Sequence, residues 1–213
     1  MGPDRRGEFH RDLERLDIAV GGFFGLIPDA IEAATAALLY SDAEIAARVQ
    51  RWRRLVEELY GDVERTIEVV VARQAPVAGD LRFLLACVRL VPNLQETVDL
   101  VADVASPSHL ELAVHLPARA VAVTHQLGAE AASVWSRLGQ LWAERSPAVL
   151  ADVRSGVDEL ADRRSTLSAE LASGSVSLPV ALELAVVGRN FDRIGRQAEN
   201  AAALVAPLVP QAG

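Results

Sequence analysis

The sequence contains no lysine, so all 21 of its basic residues are arginine. We attribute this bias to GC-rich coding and derive no binding site from it. Aromatic residues make up only 5% of the chain while hydrophobic residues make up 51%. The apolar content therefore comes mainly from Ala, Val and Leu, which pack helix against helix at close range. A net charge of −8 argues against non-specific binding to nucleic acids or to an anionic membrane surface.

Cysteine is almost absent. Cys87 is the single thiol, and it lies within an apolar stretch at 84–88. One thiol gives no intramolecular disulfide framework, and its solitary presence fits a reducing compartment. We therefore interpret Cys87 as a small residue of the core.

Long apolar runs are also missing. The first residues lack the apolar stretch behind a basic one that marks a signal peptide. The longest uncharged run near them, Ile18–Pro28, is too short and too rich in glycine to span a bilayer. We expect no transmembrane helix, and a cytoplasmic location from which only a partner would recruit the protein to the inner face of the membrane.

The motifs of common catalytic sites are absent. The pair Gly21-Gly22 is not followed by the Gly-Lys-Ser/Thr of a phosphate-binding loop, and no Gly-x-Ser-x-Gly elbow occurs. The four histidines show neither Glu-x-x-His nor His-x-x-x-His spacing, which argues against a carboxylate–histidine oxidase; they are His10, His109, His115 and His125. The sequence therefore predicts a protein that is not an enzyme.

Six segments have helical apolar spacing and are separated by turn signals. Long helices joined by short links pack antiparallel in bundles, so we predict an all-α fold of two tandem three-helix bundles, residues 1–106 and 107–213. We expect a kink or break in the first helix at Gly21-Gly22 and Pro28, and a bend at Pro92 in the third. Ser41 and Glu44 are predicted to form a capping box at the second helix. The expected helices are Phe9–Leu39, Ser41 through Ile67, one beginning near Asp80, Pro117–Ala143, one beginning at Ser146-Pro147, and Ser177 to about Leu208.

An internal repeat supports the two-bundle interpretation. Asn93-Leu94-Gln95 is matched by Asn190-Phe191-Asp192 at an offset of 97 residues, from 93 to 190. Upstream, residues 56–59 match 157–160 at an offset of 101, from 57 to 158. A shorter loop near Ser173 accounts for the difference of four, so two copies of one helical unit are the simplest explanation.

Two segments, Arg73–Arg82 and Asn190–Asn200, resemble the signatures of the PhoU family, whose members accompany phosphate-specific transporters. The resemblance extends from Phe9 to about Val205. It implies two three-helix bundles without catalysis of their own, which restrain the phosphate-starvation response. The implied partners are the ATPase subunit of a phosphate transporter and a sensor histidine kinase, and a homodimer is compatible with the family. The residues that match the family motifs are Asp80, Arg82, Asp192, Arg193 and Asn200.

Several PhoU proteins bind metal ions through carboxylates four residues apart, and this chain departs from that pattern. The matching positions hold mixed charges that sum to −1 in the first half and to zero in the second; they are Arg53, Glu57, Gln95 and Asp99, then Arg154, Asp158, Asp192 and Arg196. A guanidinium carries a permanent positive charge and cannot ligate a cation. We therefore predict that protein charge replaces metal, through the helical ion pairs Arg53–Glu57, Arg154–Asp158 and Asp192–Arg196.

Two alternatives to a phosphate-uptake regulator stay open. No cofactor is expected, but a metal-binding bundle would hold iron or zinc with the remaining carboxylates Glu57, Asp99, Asp103, Asp158 and Asp192. The second alternative is a divergent scaffold that kept the fold without phosphate signalling. We assign Glu96 and Asp103 to a solvent-facing side of the third helix, and Trp52, Trp135 and Trp142 to the core or an interface.

Overall fold

A computed structural model describes residues 3–73, 78–107 and 112–210. Every regular element in these ranges is helical, which confirms the all-α prediction. The helices are α1 (Pro3–Tyr40), α2 (Ala43–Arg73), α3 (Ala78–Ala105), the single turn α4 (Leu112–His115), α5 (Ala118–Glu144), α6 (Pro147–Ala172) and α7 (Leu178–Val205), with a 3-10 turn at Ala206–Leu208.

The six long helices form two groups of three. Helices α1, α2 and α3 pack against one another, as do α5, α6 and α7, while α1 also packs on α5 and α3 on α7. One hydrophobic core runs through both groups. Its largest fully buried side chains include Trp135, Phe23, Phe24 and Phe191. The boundary at residues 106 and 107 stays a prediction.

Helix α1 is uninterrupted, so the break expected at Gly21-Gly22 and Pro28 does not occur. Pro28 lies inside the helix, as Pro92 lies inside α3. Packing provides the reason, because α1 is covered on several sides by α2, α3 and α5. Gly21, for example, lies under the indole of Trp142, with 3.6 Å from the position of a Cβ to the ring. Tertiary burial of this kind outweighs the weak local preference of glycine and proline.

Helix α1 is also the one helix in the described ranges that is long and apolar enough, by length and composition, to cross a membrane. Its span of Gly7–Tyr40 is longer than the uncharged run from which we predicted no transmembrane helix. In its apolar window, 61% of the residues are buried inside the protein. Core helices commonly share this composition, so the finding is weak evidence for a membrane span.

The start of α2 differs from the predicted capping box. Asp42, and not Ser41, is the N-cap: its Oδ1 accepts hydrogen bonds from the amides of Glu44 (2.9 Å) and Ile45 (3.0 Å). Ser41 has a φ of 55°, which belongs to the left-handed region. The α1–α2 link is so short that Ser41 must reverse the chain direction. Ser41 therefore ends α1, and the next residue, Asp42, serves as the N-cap of α2.

The predicted starts of α6 and α7 are confirmed, whereas α1 begins at Pro3, six residues before the predicted Phe9. Helix α6 begins at Pro147 after Ser146, and α7 begins at Leu178 after Ser177, each with a proline in the first positions. Neither serine side chain makes a capping hydrogen bond. Proline fixes φ near the helical value and lacks the amide that would otherwise need an acceptor, so it favours these starts without a cap.

Helices α1 and α5 approach closely because one position lacks a side chain. A Cβ added to Gly128 would lie 2.2 Å from Oγ1 of Thr35. Thr35 is buried and donates to the carbonyl of Ile31 at 2.8 Å. Gly128 therefore sets the spacing of the contact that joins the two helical groups.

Candidate functional site

The first candidate site is an ion-pair cluster between α2 and α3. Arg53 Nε lies 2.6 Å from Asp99 Oδ1 on α3 and 3.7 Å from Glu57 Oε1, one turn along α2. The Nε and Oδ1 atoms are shielded from solvent and their angle does not fit a hydrogen bond, so the contact is chiefly electrostatic. The predicted Arg53–Glu57 proximity is present, but the shorter contact crosses between helices, where sequence spacing gave no signal.

The second half uses different residues. Asp192 forms ion pairs with two arginines. Arg196 NH2 lies 2.8 Å from its Oδ2, as the helical spacing predicts, and Arg164 Nε on α6 lies 3.3 Å from its Oδ1. Arg164 was not a candidate, because only the fold brings α6 against this part of α7. In both halves one arginine thus bridges two neighbouring helices through an aspartate.

The predicted Arg154–Asp158 pair is not formed. Both residues are exposed on α6, and no contact within 4.0 Å joins them, in contrast to the ion pairs found elsewhere in the described chain. Helical spacing permits such a pair but gives only about 0.2–0.5 kcal/mol, which does not always offset the ordering of two long side chains. Arg154 and Asp158 instead line a depression with Glu199 between α6 and α7.

The donors left over from the metal motif do not converge. Among residues 3–73, 78–107 and 112–210, no three His, Cys, Asp or Glu side chains lie close enough to hold one ion. Glu57 and Asp99 each face the guanidinium of Arg53. Asp103 is exposed one turn beyond Asp99. A cation here would have to displace the arginine, so the donor set does not fit a metal centre of the carboxylate type.

Helices α3 and α7 cross through polar contacts of their own. Asn93 Nδ2 donates to the carbonyl of Gln197 at 3.2 Å and also to its side-chain Oε1. One turn away, Arg193 NH2 lies 2.8 Å from Glu96 Oε1. Glu96 keeps 45% of its side chain exposed and, in addition to facing solvent, pairs with a residue of the other half of the chain. The repeat offset of 97, which relates 96 to 193, was the signal that could have found this pair.

The family-motif residues fall in separate places. Asp80 lies in the first turn of α3 and lines a shallow cavity with Asp17 of α1. It stands 19 residues before Asp99, about 28 Å along the helix. Arg82 and Asn200 are exposed. The motif residues therefore do not form one centre together.

An unpredicted contact lies near Asp80. Arg145, at the end of α5, has a φ of 51° and stacks over the indole of Trp142 with 3.7 Å to the ring centroid. Its NH2 lies 3.0 Å from Asp17 Oδ1. The Trp142 indole donates to the Asp17 carbonyl at 3.2 Å. Burial lowers the pKa of Arg145, and the Asp17 carboxylate opposes that shift. This contact fastens α5 to α1.

The helices and the paired charges define a tandem three-helix protein in which arginines bridge acidic helix faces. Residues 24–107 match the model of the PhoU domain. The chain is 26% identical over 196 residues to phosphate-specific transport system accessory protein PhoU homolog 2 of Mycobacterium tuberculosis, covering 91% of this chain and 92% of that protein. These matches confirm the resemblance to the PhoU family that the sequence predicted, at the distance expected of a divergent relative.

Two solved structures share the fold. PhoU of Pseudomonas aeruginosa superposes with a TM-score of 0.86 at 20% identity, covering 94% of this chain and 98% of that one. The phosphate transport system regulatory protein PhoU of Streptococcus pneumoniae gives a TM-score of 0.81 at 18% identity, covering 94% and 96%. At such identities the likeness concerns the fold, and it confirms the predicted PhoU-like architecture.

Proposed function

We propose that this protein is a non-enzymatic regulator of phosphate uptake and of phosphate-starvation signalling. The observation that supports it best is the likeness, over 91% of the chain, to a protein named as an accessory of the phosphate-specific transport system. Its partners would be the ATPase subunit of a phosphate transporter and a sensor histidine kinase. It would act in the cytoplasm, as a monomer or homodimer, through helix faces.

Co-purification and physiology test this proposal together. The tagged protein is isolated from its own host after growth in high and low phosphate, and the transporter ATPase and the histidine kinase are quantified by mass spectrometry. We expect enrichment of at least one of them, and a deletion strain that takes up labelled phosphate without restraint. Normal uptake in the deletion strain, with neither partner enriched, would instead favour a scaffold that kept the fold without phosphate signalling.

We further propose that the guanidinium of Arg53 takes the place of a cation between α2 and α3. Its support is the 2.6 Å approach to Asp99 and the nearby Glu57. A positive charge at that point offsets two carboxylates, which would otherwise repel one another across the helix pair. The alternative is a bundle that binds iron or zinc, in which the same carboxylates would coordinate the metal instead of pairing with Arg53.

Mass spectrometry of bound metal distinguishes the two. The purified protein, soaked with iron or zinc, should retain far less than one ion per chain. The double variant Arg53→Glu with Gln95→Glu adds two carboxylates beside Glu57 and Asp99, so it should retain about one ion and gain thermal stability with metal. Arg51→Glu with Gln95→Glu is the matched control, because Arg51 is exposed on the same helix. One tightly bound ion in the unaltered protein would overturn the proposal.

A further inference from the structure

Helices α2 and α3 leave a groove between them, and every described residue that lines it belongs to one of these two helices. It encloses about 200 Å³, and Val63, Val91 and Pro92 form part of its apolar lining. Its α2 side carries two carboxylates, Glu64 and Glu68, and none of the described residues that line it is basic. These described lining residues are Tyr60, Val63, Glu64, Ile67, Glu68, Val88, Val91 and Pro92.

The groove continues into a stripe of exposed apolar side chains. Leu81, Leu85 and Val88 follow one face of α3 at spacings of four and three residues, ending at Pro92, and each is about half exposed. The two helices are antiparallel here, as the contacts of Gln50 with Ala102 and of Arg53 with Asp99 require. The exposed Val71 of α2 therefore lies opposite the start of the stripe.

The dimensions of this surface match a helix. From Leu81 to Pro92 the stripe extends about 16 Å, or three helical turns. A partner helix with apolar residues at spacings of three and four would place one row of side chains between α2 and α3. This surface presents four neighbouring large apolar side chains, each 42% exposed or more: Leu81, Leu85, Val88 and Val71. Exposed apolar residues on a soluble protein are usually scattered singly, so a cluster of this kind indicates a binding surface.

The second half of the chain has an equivalent groove between α6 and α7. The two grooves are alike in apolar character and differ in charge. The α6–α7 groove lies at the same place in the repeat: Ala185 and Arg189 stand 97 residues after Val88 and Pro92. It too is preceded by exposed leucines, Leu178 and Leu182. Its lining, however, carries Arg164 and Arg189 beside Asp192, a net charge of +1, where the α2–α3 groove carries −2.

We propose that the α2–α3 groove binds an amphipathic helix of a partner protein whose apolar face is flanked by arginine or lysine. The basic side chains would pair with Glu64 and Glu68 while the apolar row covers Val88 and Leu85. The oppositely charged α6–α7 groove would reject the same helix, so the partner engages one half of a repeated molecule. The inference rests on the groove alone and is independent of phosphate regulation.

Binding of a designed probe tests the proposal. The probe is a fluorescein-labelled peptide of about three to four helical turns, with leucines on one face and arginines on both sides of them. Its comparison peptide replaces each arginine by glutamate. Fluorescence anisotropy should show binding of the arginine peptide about tenfold or more tighter than that of the glutamate peptide, with the preference decreasing as salt rises.

Variants of the full chain locate the probe. Val88→Asp and the double variant Glu64→Gln with Glu68→Gln should each weaken binding about tenfold, since one places a charge in the apolar row and the other removes the paired charges. Ala185→Asp makes the same change as Val88→Asp in the α6–α7 groove and should leave affinity unchanged. Methyl NMR shifts should change at Val63 and Val88 and not at Leu167 and Leu184. Circular dichroism verifies that each variant stays folded.

Several outcomes would overturn the proposal. Equal affinity for both peptides would show that charge does not select the occupant. Unchanged affinity in Val88→Asp would place the probe elsewhere. Sedimentation that reveals a dimer dissociated by Val88→Asp would identify a second copy of the chain as the occupant. Retention on phosphatidylglycerol vesicles, abolished by Val88→Asp, would identify a lipid surface.

Discussion

Glu96 of α3 and Arg193 of α7 are repeat equivalents, 97 residues apart, and their side chains meet at 2.8 Å. A position contacts its own equivalent only where the two copies are related by an approximate two-fold rotation, as in an isologous interface. The nearby contact of Asn93 with Gln197 keeps the same antiparallel order of α3 and α7. The two halves of the chain thus meet much as two subunits of a dimer would.

Reversal of this pair should measure its contribution. Glu96→Arg places two guanidinium groups together, and Arg193→Glu places two carboxylates together, so each single variant should lower the free energy of unfolding. The double reversal should recover most of the loss. Both side chains are 45% exposed, so we expect a coupling energy of only about 0.2–1 kcal/mol from urea denaturation at low salt. A coupling energy of zero would mean that the pair lies at the approximate two-fold axis without stabilising the contact between the two halves.

The α1–α5 contact should be far more sensitive to a single methyl group. Gly128→Ala would place a Cβ 2.2 Å from Thr35 Oγ1, and we expect a loss of about 1–3 kcal/mol in the free energy of unfolding. Gly22→Ala and Gly25→Ala are the controls, because a Cβ there meets nothing within 4 Å inside α1. Both should stabilise the protein by up to about 1 kcal/mol through helix propensity.

A second variant tests the cause of the Gly128 effect. Thr35→Ala removes Oγ1 and Cγ2, which are the two closest atoms to the added methyl group. The pair Gly128→Ala with Thr35→Ala should therefore recover part of the stability lost by Gly128→Ala alone. If the two losses simply add, the steric explanation is wrong.

The start of α2 offers a test of which residue is the cap. Asp42→Ala leaves the amides of Glu44 and Ile45 without their acceptor, so thermal or urea unfolding should show a loss of about 0.5–2 kcal/mol. Ser41→Gly should cost nothing or stabilise the protein, because glycine accepts a φ of 55° without strain. The capping box predicted from the sequence requires the reverse order, with Ser41 the sensitive position.

These contacts separate what the sequence encodes locally from what only the fold determines. Apolar periodicity located every long helix because burial of a helix face imposes a regular spacing on the chain itself. Ion pairs within one helix were also open to prediction, and Arg196 does meet Asp192 as expected. Arg154 and Asp158 have the same i, i+4 spacing but do not pair, so spacing alone does not distinguish a formed ion pair from one that is merely permitted.

The ion pairs missed at the candidate sites join residues far apart in sequence. Arg53 with Asp99, Arg164 with Asp192, and Arg145 with Asp17 each depend on the relative position of two helices. No spacing within one helix encodes that position. The exception is the Glu96–Arg193 pair, because the internal repeat carries information on how the two halves meet.

Cys87 provides a pH-dependent test of the core. Burial raises the pKa of its thiol to about 12, and the Asp17 carboxylate adds to this effect while Arg145 opposes it. The folded state therefore holds the thiol proton more tightly than the unfolded state, whose thiol has an ordinary pKa near 9.0. The resulting stabilisation is complete below pH 9 and is lost as the pH rises from there toward 12.

Urea denaturation between about pH 7 and 11 should reveal this loss as a falling free energy of unfolding. Cys87→Ala should be less stable at pH 7 because it removes a buried sulfur, yet its free energy of unfolding should decline less steeply above pH 9. A thiol reagent at pH 8 should modify the folded protein far more slowly than the urea-unfolded one. In the folded protein the thiol is protonated and buried, so the reagent meets little thiolate and cannot reach the sulfur. Equal slopes for the two proteins, or rapid modification of the folded chain, would place Cys87 outside the sealed core between α1 and α3.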